Sequence, residues 1–167
     1  VYTMDGSFDA MLIDGDFMNV EIGSVTSGKT GSDYKTQGKL PGGIKFRQSD
    51  YSDYTFGTIS GFDYGLRFSP TNKMTGDCYN KIRFDAITHC YAGLHLYTEG
   101  ITDPTWVNEN AFFGGKISNV YYGLLAKKGK LQIDEYNNNS FWNIRFENVA
   151  KDAIFCEFSA FNSFIKP

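Results

Sequence analysis

Four carboxylates in two segments have residue types suited to catalysis: Glu99 and Asp103 in "YTEGITDPTWVNE", and Asp134 and Glu135 in "KKGKLQIDEYN". Glycoside hydrolysis uses a pair of carboxyl groups roughly 5 to 10 Å apart, one protonated as acid and the other acting as base or nucleophile. These four residues can make such a pair only if the fold sets the two segments side by side. A lyase would instead want a Lys, Arg or Tyr base beside a group that neutralises a carboxylate. Lys127 and Lys128 precede Asp134, and nothing in their surroundings singles them out.

The same segments carry residues that suit sugar binding. Sugars are held by stacking of their C–H faces on aromatic rings and by hydrogen bonds to Asp, Glu and Asn. Tyr97, Trp106, Glu109 and Tyr136 supply both kinds of group. Tyr121 and Tyr122 lie elsewhere, in "NVYYGLLA", and their rings would mark a binding or assembly surface if exposed.

Other chemistry finds less support. His89 and His95 have no third ligand at a useful spacing, so no metal and no cofactor is expected. Cys78, Cys90 and Cys156 are odd in number and lack metal-ligand spacing, which argues against a disulfide framework. The acidic run "DGSFDAMLIDGDF" lacks the Asp-x-Asp-x-Asp-Gly spacing of a calcium loop and reads as turn chemistry. A net charge of −3 gives no basic footprint for nucleic acid. No apolar run is long enough for membrane insertion. The start at Val1 and the end at "FNSFIKP" suggest a piece of a longer polypeptide, with residues 1–167 as a single domain.

The elements that must position these residues repeat along the chain. "NKIRFDAITHCYAGLHLYT", "NAFFGGKISNVYYGLLAKK" and "NSFWNIRFENVAKDAIFCEF" share one pattern, and five copies align on Ile22, Ile59, Ile87, Ile117 and Phe146. An apolar residue stands five positions earlier (Phe17, Tyr54, Ile82, Phe112, Phe141) and another three later (Val25, Phe62, Cys90, Val120, Val149). A small residue then precedes an aliphatic one: Gly43-Ile44, Gly65-Leu66, Gly93-Leu94, Gly123-Leu124 and Ala153-Ile154. The last four anchors are 28, 30 and 29 residues apart, and the first interval is 37 because residues 26–41 form a polar, Gly-rich insertion loop. A fixed period near 30 signals a repeat architecture. Short runs of alternating apolar residues, with no amphipathic stretch of helical length, signal strands. Stacked copies make a parallel β-solenoid of about five coils, the small residue serving a bend and the recurring Asn80, Asn110 and Asn139 serving turns. Alternation places His95 outward, level with Arg67. The stretches 69–79, 97–109 and 127–138 become loops stacked as a wall on one flank.

This pattern resembles the right-handed, single-stranded parallel β-helix of the pectate-lyase-like superfamily, and more narrowly the β-helices of bacteriophage tail spikes and tail fibres. The resemblance spans roughly residues 15–158. It implies a virion protein made in the host cytoplasm without a signal peptide, a homotrimer, and adsorption to a bacterial surface glycan such as capsule or lipopolysaccharide. The alternative it leaves open is a polysaccharide depolymerase, hydrolase or lyase, on the same fold, with Glu99, Asp103, Asp134 and Glu135 as its carboxylates.

Overall fold

The structure, a computed structural model, describes residues 9–29, 33–70, 76–98, 105–127, 136–157, 159–160 and 162–165. Among these, sixteen strands and one short 3₁₀ turn (Asp33–Lys35) follow one another, and every strand pairing is parallel. The strands wind as a β-solenoid of about four turns.

Each turn contributes to three faces. The first face stacks Asn19–Thr26, Asp53–Ser60, Lys81–Thr88, Ala111–Phe113 and Ser140–Trp142, together with the leading parts of the long strands Lys116–Ala126 and Arg145–Cys156. The second stacks Asp9–Asp14, the start of Gly42–Asp50, Tyr64–Phe68, Ala92–Leu96 and the trailing parts of those same long strands. The third is narrow: the end of Gly42–Asp50, then Gly76–Cys78, Trp106–Asn108, Tyr136–Asn137 and Ser159–Ala160.

The repeat is in register with the pairing. Ile59, Ile87, Ile117 and Phe146 pile up as one column, and Ile44, Leu66, Leu94, Leu124 and Ile154 as another. Inside, Phe46 stacks on Phe68 with ring centres 4.2 Å apart, and Phe112 on Phe141 at 4.9 Å. Each of these residues from Ile44 through Leu124 is buried, and burial fails only at the last rung, where Ile154 is 41% exposed. Removing one such Leu or Ile from water is worth about 1.5–3 kcal/mol. The columns, repeated rung after rung, therefore hold the coil closed.

Three sequence expectations need correction. The first copy slips by three residues: Val25 pairs with Ile59, Ile22 with Phe56 and Val20 with Tyr54. Val20, Ile22 and Val25 present apolar side chains that fit either register, and the insertion at 26–41 removes the constant spacing that would have chosen. The small residue is there for packing and not for a bend. A Cβ on Gly93 would sit 2.6 Å from Ile117 Cγ2, and one on Gly123 2.5 Å from Phe146 Cδ1, so the apolar column of the neighbouring rung fills that space.

The third correction concerns asparagine. Asn80, Asn110 and Asn139 point inward and are essentially fully buried. The Nδ2 of Asn80 donates to Asn110 Oδ1 (3.0 Å), that of Asn110 to Asn139 Oδ1 (3.1 Å), and the backbone N–H of Asn139 donates to Asn162 Oδ1 (2.8 Å). Each Nδ2 also reaches the carbonyl of Ser49, Asp77 or Val107. Buried amides must be satisfied in this way, since an unmade bond costs about 1–3 kcal/mol. The left-handed backbone expected of Asn belongs to the preceding residue at that corner: Phe17, Tyr51, Tyr79, Glu109 and Asn138 have φ of 55°, 53°, 58°, 58° and 55°.

Candidate functional site

The outer side of the second face is built unlike an ordinary solvated sheet. Side chains that alternate outward there form a second cluster: Tyr64, Ala92, Tyr122 and Leu125 are buried, with Tyr91, Tyr121 and Phe155 packed beside them. Residues 34–41 of the insertion lie against this side. Pro41 O accepts the N–H of Asp63, Gly38 N–H donates to the Asp63 carboxylate at 2.7 and 2.8 Å, and Tyr34 meets His89 edge-on at 6.1 Å.

At one end of this layer is a cleft of about 260 Å³ lined by Gln37, Asp63, Tyr64, Arg67, His95, Tyr97 and Lys127. Strand pairing sets the geometry: Lys45, Arg67 and His95 follow one another as an outward rank, each opposite the next. The Arg67 guanidinium lies between two rings, 5.1 Å from the centre of Tyr64 and 5.2 Å from that of Tyr97. Both distances are within cation–π range. His95 stacks on Tyr97 at 5.7 Å, and its Nε2 has no hydrogen-bond partner among the described residues. Burial, reinforced by the positive charges of Arg67 and Lys127, pushes the imidazole down to about 3, so it stays neutral at physiological pH. The Asp63 carboxyl is raised by burial, against the backbone N–H groups of the insertion that hold it.

Of the residues singled out from sequence for sugar binding, Tyr97 lines the cleft, as do His95 and Lys127, which were weighed there for metal and lyase chemistry. Tyr121 and Tyr122 belong to the adjoining aromatic layer, where Tyr121 stacks on Tyr91 at 5.3 Å and Lys151 Nζ lies 5.2 Å from the Tyr122 ring centre. Tyr64 and Tyr122 share a rank, through Ala92. Trp106, Glu109 and Tyr136 lie elsewhere. Trp106 and Tyr136 stand in strands of the third face instead of in loops, and those strands of two or three residues are too short for alternation to reveal them. The Trp106 indole covers Gly76, where a Cβ would come within 2.5 Å of its Nε1. Tyr136 is fully buried, donates its hydroxyl proton to Lys127 O at 2.5 Å and accepts the N–H of Thr98 at 3.0 Å, so it braces the fold and presents no face to a ligand. Glu109 sits at the corner beside Tyr79. The four carboxylates Glu99, Asp103, Asp134 and Glu135, and Lys128 with them, lie outside the described residues.

His95 does point outward as alternation requires, yet it is only 7% exposed, because the aromatic layer covers it. Sequence reasoning missed Asp63 and Arg67 as cleft residues. The usable signal was the outward rank Lys45–Arg67–His95, a run of basic residue types flanked by Tyr64 and Tyr97. The cysteines are free, with Cys78 and Cys90 buried and their thiols pushed up to about 12 by burial.

A second exposed feature runs along the corner between the third and first faces. Phe17, Tyr51 and Tyr79 stack with ring centres 5.5 and 4.8 Å apart and planes within 7°. They are 79%, 56% and 49% exposed. Tyr51 stands between the other two rings, and Phe17 at the end of the stack is the most exposed. At the other end, a hydrogen bond to Glu109 pushes the Tyr79 phenol up to about 12.

No protein-family model matches this chain, and neither a curated protein nor a solved structure does. What the fold and the site define is a class, a parallel β-solenoid with a polar, aromatic-lined cleft on its outer flank.

Proposed function

We propose that this chain is a right-handed β-helix segment of the pectate-lyase-like kind, from a virion tail spike or tail fibre, and that it adsorbs to polysaccharide on a bacterial surface. The observation that carries the reading is the cleft in which Tyr64 and Tyr97 flank Arg67 beside His95. Flat rings and fixed hydrogen-bonding groups converge there on a rigid, stacked scaffold, as a sugar site requires. A homotrimer would present three such clefts, and threefold attachment gives useful avidity to shallow individual sites.

The test is retention of purified capsule and lipopolysaccharide on the immobilised protein, followed by sizing of the recovered chains. Retention at unchanged length, lost in Tyr97→Ala but kept in Trp106→Ala, is the expected result. Shortened chains would convert the reading to a depolymerase. No retention of any surface polysaccharide would remove it.

A further inference from the structure

Several groups lining the cleft are already engaged. The Arg67 guanidinium lies between Tyr64 and Tyr97, and His95 stacks on Tyr97. The Asp63 carboxylate accepts the Gly38 N–H at 2.7 and 2.8 Å, and the N–H groups of Lys39 and Leu40 bear on the same carboxylate. Gly38 has φ of 78°, in the left-handed region. Consecutive N–H groups about such a residue form a concavity that holds an anion, and here the anion is the chain's own. The strap is fastened further on by Leu40, 3% exposed, and by Pro41 O, which accepts the Asp63 N–H at 2.8 Å. Gln37 stands just before this fastened stretch. It lines the cleft, its side chain is exposed, and its amide makes no hydrogen bond among the described residues. An amide both donates and accepts, which is what a sugar hydroxyl asks of its partner.

We infer that Gln37 is a hydrogen-bonding contact for sugar hydroxyls at the lip of the cleft, and that Asp63 is the positioning residue that holds it there by latching residues 38–40 to the second face. The inference rests on the glycan-binding reading above and adds to it a contact and the support of that contact. Without the latch the strap samples more conformations, and the ligand must then supply the cost of ordering it. Lys35 and Lys39 are exposed on either side of Gln37, so a ligand held by Gln37 shields both from trypsin.

The experiment compares the unsubstituted chain with Gln37→Ala and Asp63→Ala. Each is measured for retention of purified capsule and lipopolysaccharide, for tryptic cleavage after Lys35 and Lys39 with and without polysaccharide, and for thermal unfolding. Gln37→Ala should weaken retention several-fold at an unchanged unfolding temperature, since its side chain is exposed. Asp63→Ala should weaken retention about tenfold and speed cleavage at both lysines when no polysaccharide is present. Polysaccharide should slow that cleavage in the unsubstituted chain and not in Gln37→Ala. Should Asp63→Ala fail to fold, retention and protection in the other two proteins still decide the matter. Equal retention by Gln37→Ala, with neither lysine protected, would overturn the inference and leave glycan binding standing. Asp63→Ala cleaved and retained as the unsubstituted chain is would overturn the latch. No retention of polysaccharide by the unsubstituted chain would overturn both readings.

Discussion

The first and second faces of the solenoid share one interior and differ on their outer sides. Outside the first face, charged residues stand in water and pair loosely: Arg83 with Asp53 at 3.3 Å, and Arg145 and Lys116 with Glu147 at 2.9 and 3.8 Å, all with well-exposed side chains. Such pairs are worth about 0–1 kcal/mol. Outside the second face, the equivalent alternating positions are buried tyrosines, Leu125 and a neutral histidine, with described residues of the insertion packed against that side. Identical backbone pairing therefore supports a plain solvated surface on one side and a layered, cleft-bearing one on the other. The second buries polar groups because something covers it, and cover is what desolvates and fixes them.

Substitutions can break this comparison at several depths. The largest effect belongs to the shared interior. Leu94→Asp, beneath the second face, and Ile87→Asp, beneath the first, should both abolish cooperative unfolding, since a buried unpaired charge costs several kcal/mol against a total stability of about 5–15. A folded variant on either side, judged by circular dichroism during thermal unfolding, would contradict the column assignment.

The next effect separates the faces. Leu125→Ala, outward on the second face, should cost about 2–4 kcal/mol, as a core truncation does. Arg83→Ala, outward on the first, should cost below about 1 kcal/mol. Equal costs in denaturant titrations would erase the distinction.

pH sharpens it further. His95 has a folded pKa near 3, below its unfolded value of about 6.5, so the unfolded chain takes up the proton first. Its contribution is present above pH 6.5 and is lost as pH falls toward 3, and His95→Gln should flatten that part of the stability curve. Asp77, fully buried in the third face, behaves oppositely. Burial raises its carboxyl well above the usual range, so the folded state keeps its proton longer and stability declines as pH rises above about 4. Asp77→Asn should raise the unfolding temperature more at pH 8 than at pH 4. The smallest effect is local. Glu109→Gln should bring the Tyr79 phenol down from about 12 toward its ordinary value near 10, read from tyrosinate absorbance.

The inner columns were legible in the sequence because each is set by a residue type that must recur at every rung. Ile87 and Ile117, or Leu94 and Leu124, see the same neighbours above and below and so keep the same character. The asparagine ladder was visible as a recurrence but not as an interior one, since Asn more often serves turns than buried stacks. The third face was hidden because "GDC", "WVN" and "YN" are too short to show a period. The cleft was legible only in part. Tyr97 was found for its ring, whereas Arg67 and Asp63 acquire their role from the residues one rung away and from the insertion folded across them.

Amide and side-chain chemical-shift changes on titration with a surface polysaccharide test the central claim most directly, namely that the covered second face is the ligand face. The account predicts changes clustered on Tyr64, Arg67, His95, Tyr97 and Lys127, with Arg83, Lys116 and Glu147 unmoved. Changes centred on the first face, with the cleft residues silent, would contradict it.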